Sequence, residues 1–421
     1  MKREQSSWWQ CKLGIIAGAV FHLAGGASSA QEALRTAVEG DQAYRTRSAP
    51  DSRPAGQLKA GPVYYNIGLG YSLEWNDNVN LSSSSPEADF IHRPQLDLRA
   101  MWPATKDSVL NFGMGIGYQN YMDHPDLDRM LISPNSELAW DIPVEDFVFT
   151  LSDRFLYSQD VASEGGLSGT AEFPRIENTA GVRVRWMPDR YQFELGYAHY
   201  NFFSQSPSFD YLGRASEQFL GRAAYRFADA TQAGLEASGS LTDYESPMQQ
   251  DNQSVSVGPF LEWQLRADLR LSLRGGYVIY FQEPGPLFGL SSDVSSYYVG
   301  IDANHRLTDY ISHGLSAVRE VRQSVNQGSE LTEQLTVRYF VTWAFLDQAT
   351  ISADCFYEHG KPPPLGIEET YDRLGFGVGV NWQLLEHLSV GLAYRYTTRD
   401  SNINTRDYNQ NLVTLSANYQ F

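Results

Sequence analysis

The sequence predicts an all-β protein, a transmembrane antiparallel up-and-down β-barrel of about 18 strands, with about 16 as the alternative count. Three observations predict it. Apolar and polar residues alternate from Val63 to the C-terminus, the connections between alternating segments are short and long in turn, and tryptophans recur just before the short ones. The last stretch shows the pattern most plainly. Val413, Leu415, Ala417, Tyr419 and Phe421 form one face, and Leu412, Thr414, Ser416, Asn418 and Gln420 form a more polar one. A period of two puts such sets on opposite sides of a sheet, and a strand ending on an aromatic closes a barrel whose apolar face meets lipid.

Met1 to Ala30 reads as a secretory signal peptide. Lys2, Arg3 and Lys12 precede the apolar run Leu13 to Gly26, and Ser28, Ser29 and Ala30 are small enough for a cleavage site. The apolar run is shorter than the roughly 20 residues a spanning helix needs. Residues 31–61 are polar and aperiodic, the composition of a flexible periplasmic lead-in, and residues 62–421 make the barrel. Cleavage after Ala30 leaves Cys355 as the one cysteine, so no internal disulfide forms.

A mean hydropathy of -0.38 excludes a polytopic helical membrane protein. It does not exclude a barrel, whose strands are apolar only on alternate residues. The 25 Tyr and 35 Gly also suit strands. Without residues 1–30 the chain keeps 29 basic and 49 acidic side chains, a net charge of -20, which argues against nucleic acid as a partner.

The predicted strands are 63–76, 89–102, 107–121, 132–142, 146–158, 173–187, 190–203, 211–227, 231–243, 251–265, 269–281, 293–307, 310–322, 331–346, 349–358, 370–385, 388–400 and 407–421. In the clearest of them Leu374, Phe376, Val378, Val380, Trp382 and Leu384 oppose Arg373, Gly375, Gly377, Gly379, Asn381 and Gln383. Short connections fall at positions such as Pro143 to Glu145, Ala267-Asp268 and Leu385 to His387; Asp77 to Ala88, Gln159 to Glu172 and Gly360 to Glu369 lie on the other side. Short turns facing the periplasm put both termini there and the barrel in the outer membrane.

Trp102, Trp140, Trp186, Trp263, Trp343 and Trp382 precede short turns. An indole is amphipathic and favours the headgroup boundary, so these six are the expected membrane girdle. Tyr121, Tyr157, Tyr200, Tyr280, Tyr357 and Tyr396 are the expected outer girdle. The expected pore lining is the polar face: Arg185, Arg222, Arg226, Arg270, Arg274, Arg338, Arg373, Arg395 and Arg399, with Glu194, Glu236 and Asp302 among its acids. Eighteen strands enclose more space than side chains alone fill, so the interior is expected to be a solvated pore. No connection is long enough for a plug domain; the longest, Gln159 to Glu172, is expected at most to fold inward as a constriction.

Covalent chemistry has no clear carrier. The histidines after residue 30 lack metal-ligand spacing, and no phosphate-binding glycine loop lies between a strand and a helix. No catalytic residue, cofactor or metal is predicted. Asp77 with Asn76, Asn78 and Asn80, and Asp400 with Asn402 and Asn404, leave two readings open, an oxygen-rich calcium loop or turn formation by Asn and Asp.

The last hairpin carries Tyr394-Arg395-Tyr396, Arg399-Asp400-Ser401-Asn402, Asp407-Tyr408, Asn411 and a Tyr419-Gln420-Phe421 end. It resembles the C-terminal end of the putative β-barrel porin-2 family of bacterial outer-membrane proteins. Tyr71 to Asn80, with Trp75-Asn76-Asp77-Asn78, is similar to that family's first hairpin. The resemblance implies a channel associated with exopolysaccharide export, with outer-membrane lipid and lipopolysaccharide, the barrel assembly machinery, a polysaccharide substrate and periplasmic export components as partners. It also implies that Tyr419 and Phe421 serve as the assembly signal. A general diffusion porin for small solutes, and a barrel-borne enzyme or structural protein, are the alternatives.

Overall fold

Strands with one apolar and one polar face satisfy their backbone only by pairing, and in lipid only a closed set leaves no edge. The computed structural model, which describes residues 58–228, 230–283, 293–326, 331–361 and 369–421, shows that closed set. Its strands are β1 (Leu58–Ala60), β2 (Val63–Asn76), β3 (Asp89–Pro103), β4 (Val109–Tyr121), β5 (Arg129–Val144), β6 (Phe147–Ser158), β7 (Arg175–Trp186), β8 (Tyr191–Ser204), β9 (Arg214–Ala228) and β10 (Thr231–Tyr244). They continue with β11 (Asn252–Arg266), β12 (Leu269–Gln282), β13 (Val294–Arg306), β14 (Ile311–Gln323), β15 (Leu331–Leu346), β16 (Ala349–Lys361), β17 (Tyr371–Leu385), β18 (Leu388–Ser401) and β19 (Tyr408–Gln420). From β2 to β19 each strand pairs antiparallel with its sequence neighbours, and β19 closes on β2, from Leu412 opposite Asn76 to Gln420 opposite Gly68. The result is a barrel of eighteen strands. Every predicted strand is present, with ends within three residues of those observed.

One strand lies before the predicted barrel. β1 folds back on β2, Ala60 opposite Val63, through a turn at Gly61 whose φ of 60° suits a residue without a Cβ. The signal peptide and most of the N-terminal lead-in fall in residues 1–57, outside the described residues. The ladder breaks within β5, between Ile132 and Ser136 on the β6 side. Pro134 has no N–H to give there.

Both termini of the barrel lie at the end that carries the short turns. Two-residue connections such as Asp347-Gln348 and Glu386-His387 sit at that end, and 77–88, 159–174, 205–213 and 402–407 lie at the other. The six tryptophans are all exposed and all lie near the short-turn end. Phe421 adds one further bond beyond the closing strand, its N–H donating to the Ile67 carbonyl at 3.0 Å, with its ring edge-on to Tyr419 at 4.8 Å.

The expected outer girdle is corrected at three positions. Tyr121, Tyr200 and Tyr280 are buried, opposite Ile91, Ser216 and Ser254 on the inward face. Tyr121 follows Gly117 and Gln119 in steps of two, so its own parity turns it inward. Tyr357 keeps the outward register and is exposed.

Candidate functional site in the barrel interior

Residues opposite each other on paired strands share a face, so the inward set can be followed around the wall by register. Arg185 faces Glu194, Glu194 faces Arg222, and Arg222 faces Glu236 across β7 to β10. On the next strands Phe260 faces Arg274, Gln264 faces Arg270, and Ser272 faces Asp302. Further on, Ser316 faces Arg338, Glu358 faces Arg373, and Arg373 faces Arg399. Gly377 faces Arg395, while Arg226 faces Gln232 at the short-turn end of β9. The predicted interior residues therefore share one face of the wall.

That wall has two charged arcs. In the first, Arg183 and Arg185 both reach Glu194 at 3.3 Å, Arg222 lies 3.7 Å from Glu236 and 3.5 Å from Glu262, and Arg270 lies 3.1 Å from Glu262. Arg222 also stacks on the Phe260 ring at 4.1 Å. Arg274 makes no ion pair among the described residues. Four guanidiniums thus share three carboxylates, and Arg274 lies on the same face beside them. In the second arc Arg395 pairs with Asp354 at 3.1 Å and Arg373 with Glu358 at 2.9 Å. Arg338 lies between them without an ion pair among the described residues, over the Phe356 ring at 5.8 Å. Asp302 accepts a 2.7 Å bond from Ser316.

At the long-loop end described loops enter the bore. Segment 159–174 runs from β6 across the interior and meets the second arc. Arg373 Nη1 donates to the Ala162 carbonyl at 2.8 Å, Arg399 Nε donates to the Gly165 carbonyl at 2.9 Å, and Arg322 lies 3.3 Å from Glu164. Gly165 has to be glycine for this approach, because a Cβ would come within 1.6 Å of Glu358 Oε1. Val161, Leu167 and Phe173 of the segment pack with Leu81, Tyr200, Phe202, Phe209, Leu212 and Tyr408 in one buried cluster. Phe209 and Leu212 belong to a short 3-10 turn, Pro207–Leu212, whose Tyr211 hydroxyl donates to the Val325 carbonyl at 2.7 Å. Burial pushes the Tyr211 phenol up to about 12. Glu369, also buried, takes Arg399 at 2.8 Å, Ser401 Oγ at 2.9 Å, and Arg406.

The expectation of an evenly solvated pore is corrected at this end. Loops packing onto wall side chains such as Tyr200, Phe202 and Tyr408 fill it there. The expected constriction, by contrast, is present: the segment from Gln159 folds inward. Arg183 and Arg322 were legible from parity, since each lies an even number of residues from an inward neighbour, Arg185 and Ser316. Glu164 and Glu369 carry no periodic signal because both lie in loops. The asparagine-rich loop is a turn by its bonds: Asn78 Oδ1 accepts from the Ser82 N–H at 2.9 Å, and Asp77 accepts from the Asn411 backbone and side chain at 2.6 Å.

This architecture can be set against known proteins. Residues 303–421 match the model of the family Putative beta-barrel porin 2. That stretch holds the end of β13 and all of β14 to β19, and so includes the hairpin that carries the resemblance; the opening hairpin lies outside it. In fold the barrel is similar to OccAB3 of Acinetobacter baumannii, with 10% identity, a TM-score of 0.50, and coverage of 86% of this chain and 100% of that one. The outer membrane protein opdK from Pseudomonas aeruginosa also matches, at 12% identity and TM-score 0.49 over 85% of this chain and 99% of its own. OprD of the same organism gives 12% and 0.46, over 85% and 95%. No curated protein matches the chain.

Proposed function

We propose that this porin barrel is an outer-membrane channel for the diffusion of small hydrophilic solutes, with anions preferred, acting without covalent chemistry. The observation that carries the reading is segment 159–174, tied across the interior to Arg322, Arg373 and Arg399. A polymer would have to displace that segment along its whole passage, whereas a small solute needs only a gap beside it. The porin-family match and the porin-like fold support the same reading. They give no support to exopolysaccharide export, which small-solute diffusion therefore replaces as the leading reading. The anion preference rests on the first arc, where arginines outnumber the carboxylates they share, because a charged ring in a confined bore selects by sign.

In this reading the six tryptophans mark the periplasmic headgroup boundary, the termini are periplasmic, and lipid, lipopolysaccharide and the barrel assembly machinery are the partners. The test is single-channel recording of the purified full-length protein in planar bilayers. Discrete conductance steps with a reversal potential favouring chloride are expected, and the triple variant Arg270→Ser, Arg274→Ser, Arg338→Ser should move that potential toward cations. A reconstituted barrel that never conducts would overturn the reading. An unchanged reversal potential in the triple variant would remove the anion preference.

A further inference from the structure

Building on the anion-preferring channel, we propose that Arg322, Arg373 and Arg399 form a binding site for a carboxylate solute, and that Glu164 with its neighbouring carbonyls occupies this site as a built-in substitute for that solute. The pattern of donors and acceptors is the reason. Each of the three wall arginines reaches toward segment 159–174, and what the segment offers is acceptors alone: the Ala162 carbonyl to Arg373 at 2.8 Å, the Glu164 carboxylate to Arg322 at 3.3 Å, and the Gly165 carbonyl to Arg399 at 2.9 Å. Three guanidiniums that face oxygen acceptors make a donor set able to hold the two oxygens of a small carboxylate.

The wall holds these donors in place. Arg373 is fixed by Glu358 at 2.9 Å and Arg399 by Glu369 at 2.8 Å, so the site stays formed when the segment leaves. The absent side chain at Gly165 lets the main chain approach as closely as a ligand would. The segment is anchored elsewhere by Val161, Leu167 and Phe173, which leaves the stretch 162–165 as the part able to lift from the wall.

A carboxylate solute entering the bore competes with Glu164, and it shifts the segment only as far as it binds the vacated site better than the occupied one. Atoms of the segment leave the arginines, the solute takes them, and the constriction widens for the molecule that opened it. Selectivity and opening then reside in the same guanidiniums.

The experiment compares acetate with acetamide at matched ionic strength, on the full-length protein in planar bilayers. Acetate, and not acetamide, should raise the open probability of the wild type. Glu164→Gln should be about tenfold more open without acetate, the scale of one lost charge-assisted bond, and should respond to acetate little further. Gly165→Ala, which forces the main chain away from Glu358, should behave likewise and serves as the second variant should Glu164→Gln not assemble. Equal effects of acetate and acetamide, or variants that conduct like the wild type, would overturn the proposal. Maleimide labelling of Ser163→Cys, in a Cys355→Ser background in liposomes, reads release of the segment without relying on conduction. Faster labelling in acetate alone supports the site even if the barrel proves non-conducting, which would count against the channel reading only. Labelling unaffected by acetate counts against the site.

Discussion

The two ends of this barrel are built from the same strands and hold their charges in different ways. At the long-loop end Arg399 is fully buried against Glu369, itself nearly so, and donates to the Gly165 and Arg406 carbonyls of two loops. At the short-turn end Arg266 and Asp268 pair at 2.9 Å with the arginine 60% exposed, and Arg270 is 42% exposed beside Glu262. The difference follows from connection length alone. A two-residue turn has no chain to spare for the bore, whereas a segment such as 159–174 can cross it, bring its own carboxylate, and remove water from the arginines it meets. A wide barrel thus becomes packed at one end and stays wet at the other without any change in strand pattern.

Breaking one pair at each end is the sharpest test of that contrast, and carries the largest expected effect. Glu369→Ala leaves Arg399 and Arg406 without their shared carboxylate in a dry site and should cost about 3–5 kcal/mol, the scale of an uncompensated buried charge. Asp268→Ala removes an exposed pair and should leave the unfolding midpoint nearly unchanged. Urea unfolding of the reconstituted protein, followed by its aromatic fluorescence, measures both. Equal losses would mean that the two ends are not differently solvated.

A smaller and different effect is expected at the closing seam of the short-turn end, where strand pairing rather than loop packing holds the wall. Removing Phe421 takes away the bond to Ile67 and the contact with Tyr419, yet leaves the β19 to β2 ladder whole. The variant should assemble more slowly in cells and, once assembled, conduct normally. Heat-modifiable mobility on gels reports assembly and bilayer recording reports conduction; a variant that assembles fully and does not conduct would contradict this division.

How legible each end was follows from the same difference. β2 was readable to both of its ends, 63 and 76, and the placement of Arg185, Arg222 and Arg338 on the polar face needed only a count by twos. Without that count Tyr280 reads as a girdle residue, although its register puts it opposite Ser254 on the inward face. The packed end was hidden for a physical reason. Arg399 and Gly165 are 234 residues apart and Arg322 and Glu164 are 158 apart. Such contacts depend on where a loop comes to rest, and no local period records that. The length of 159–174 was the only available sign, and it indicated that something folds inward but not which arginines would hold it.

The smallest expected effect concerns a loop clamp at the packed end and depends on pH. Asp89, at the start of β3 and buried, accepts the backbone N–H groups of Met122, Asp123 and His124, and its Oδ2 meets His124 Nδ1 at 2.8 Å; Glu87 lies 3.3 Å from the other ring nitrogen. The bond to Asp89 raises the His124 imidazole above its ordinary value, with the nearby acids adding to the shift. A raised value in the folded state means that the stabilisation is complete below the unfolded value of about 6.5 and is lost as the pH rises through the folded one. Three backbone N–H groups bond to Asp89 besides the imidazole, so the clamp should loosen rather than open. Limited proteolysis of loop 77–88 should therefore quicken modestly as the pH passes through the folded value of His124, and the rate in His124→Gln should be flat across that window. If the two proteins show the same pH profile, the imidazole is not what ties this loop to the packed end.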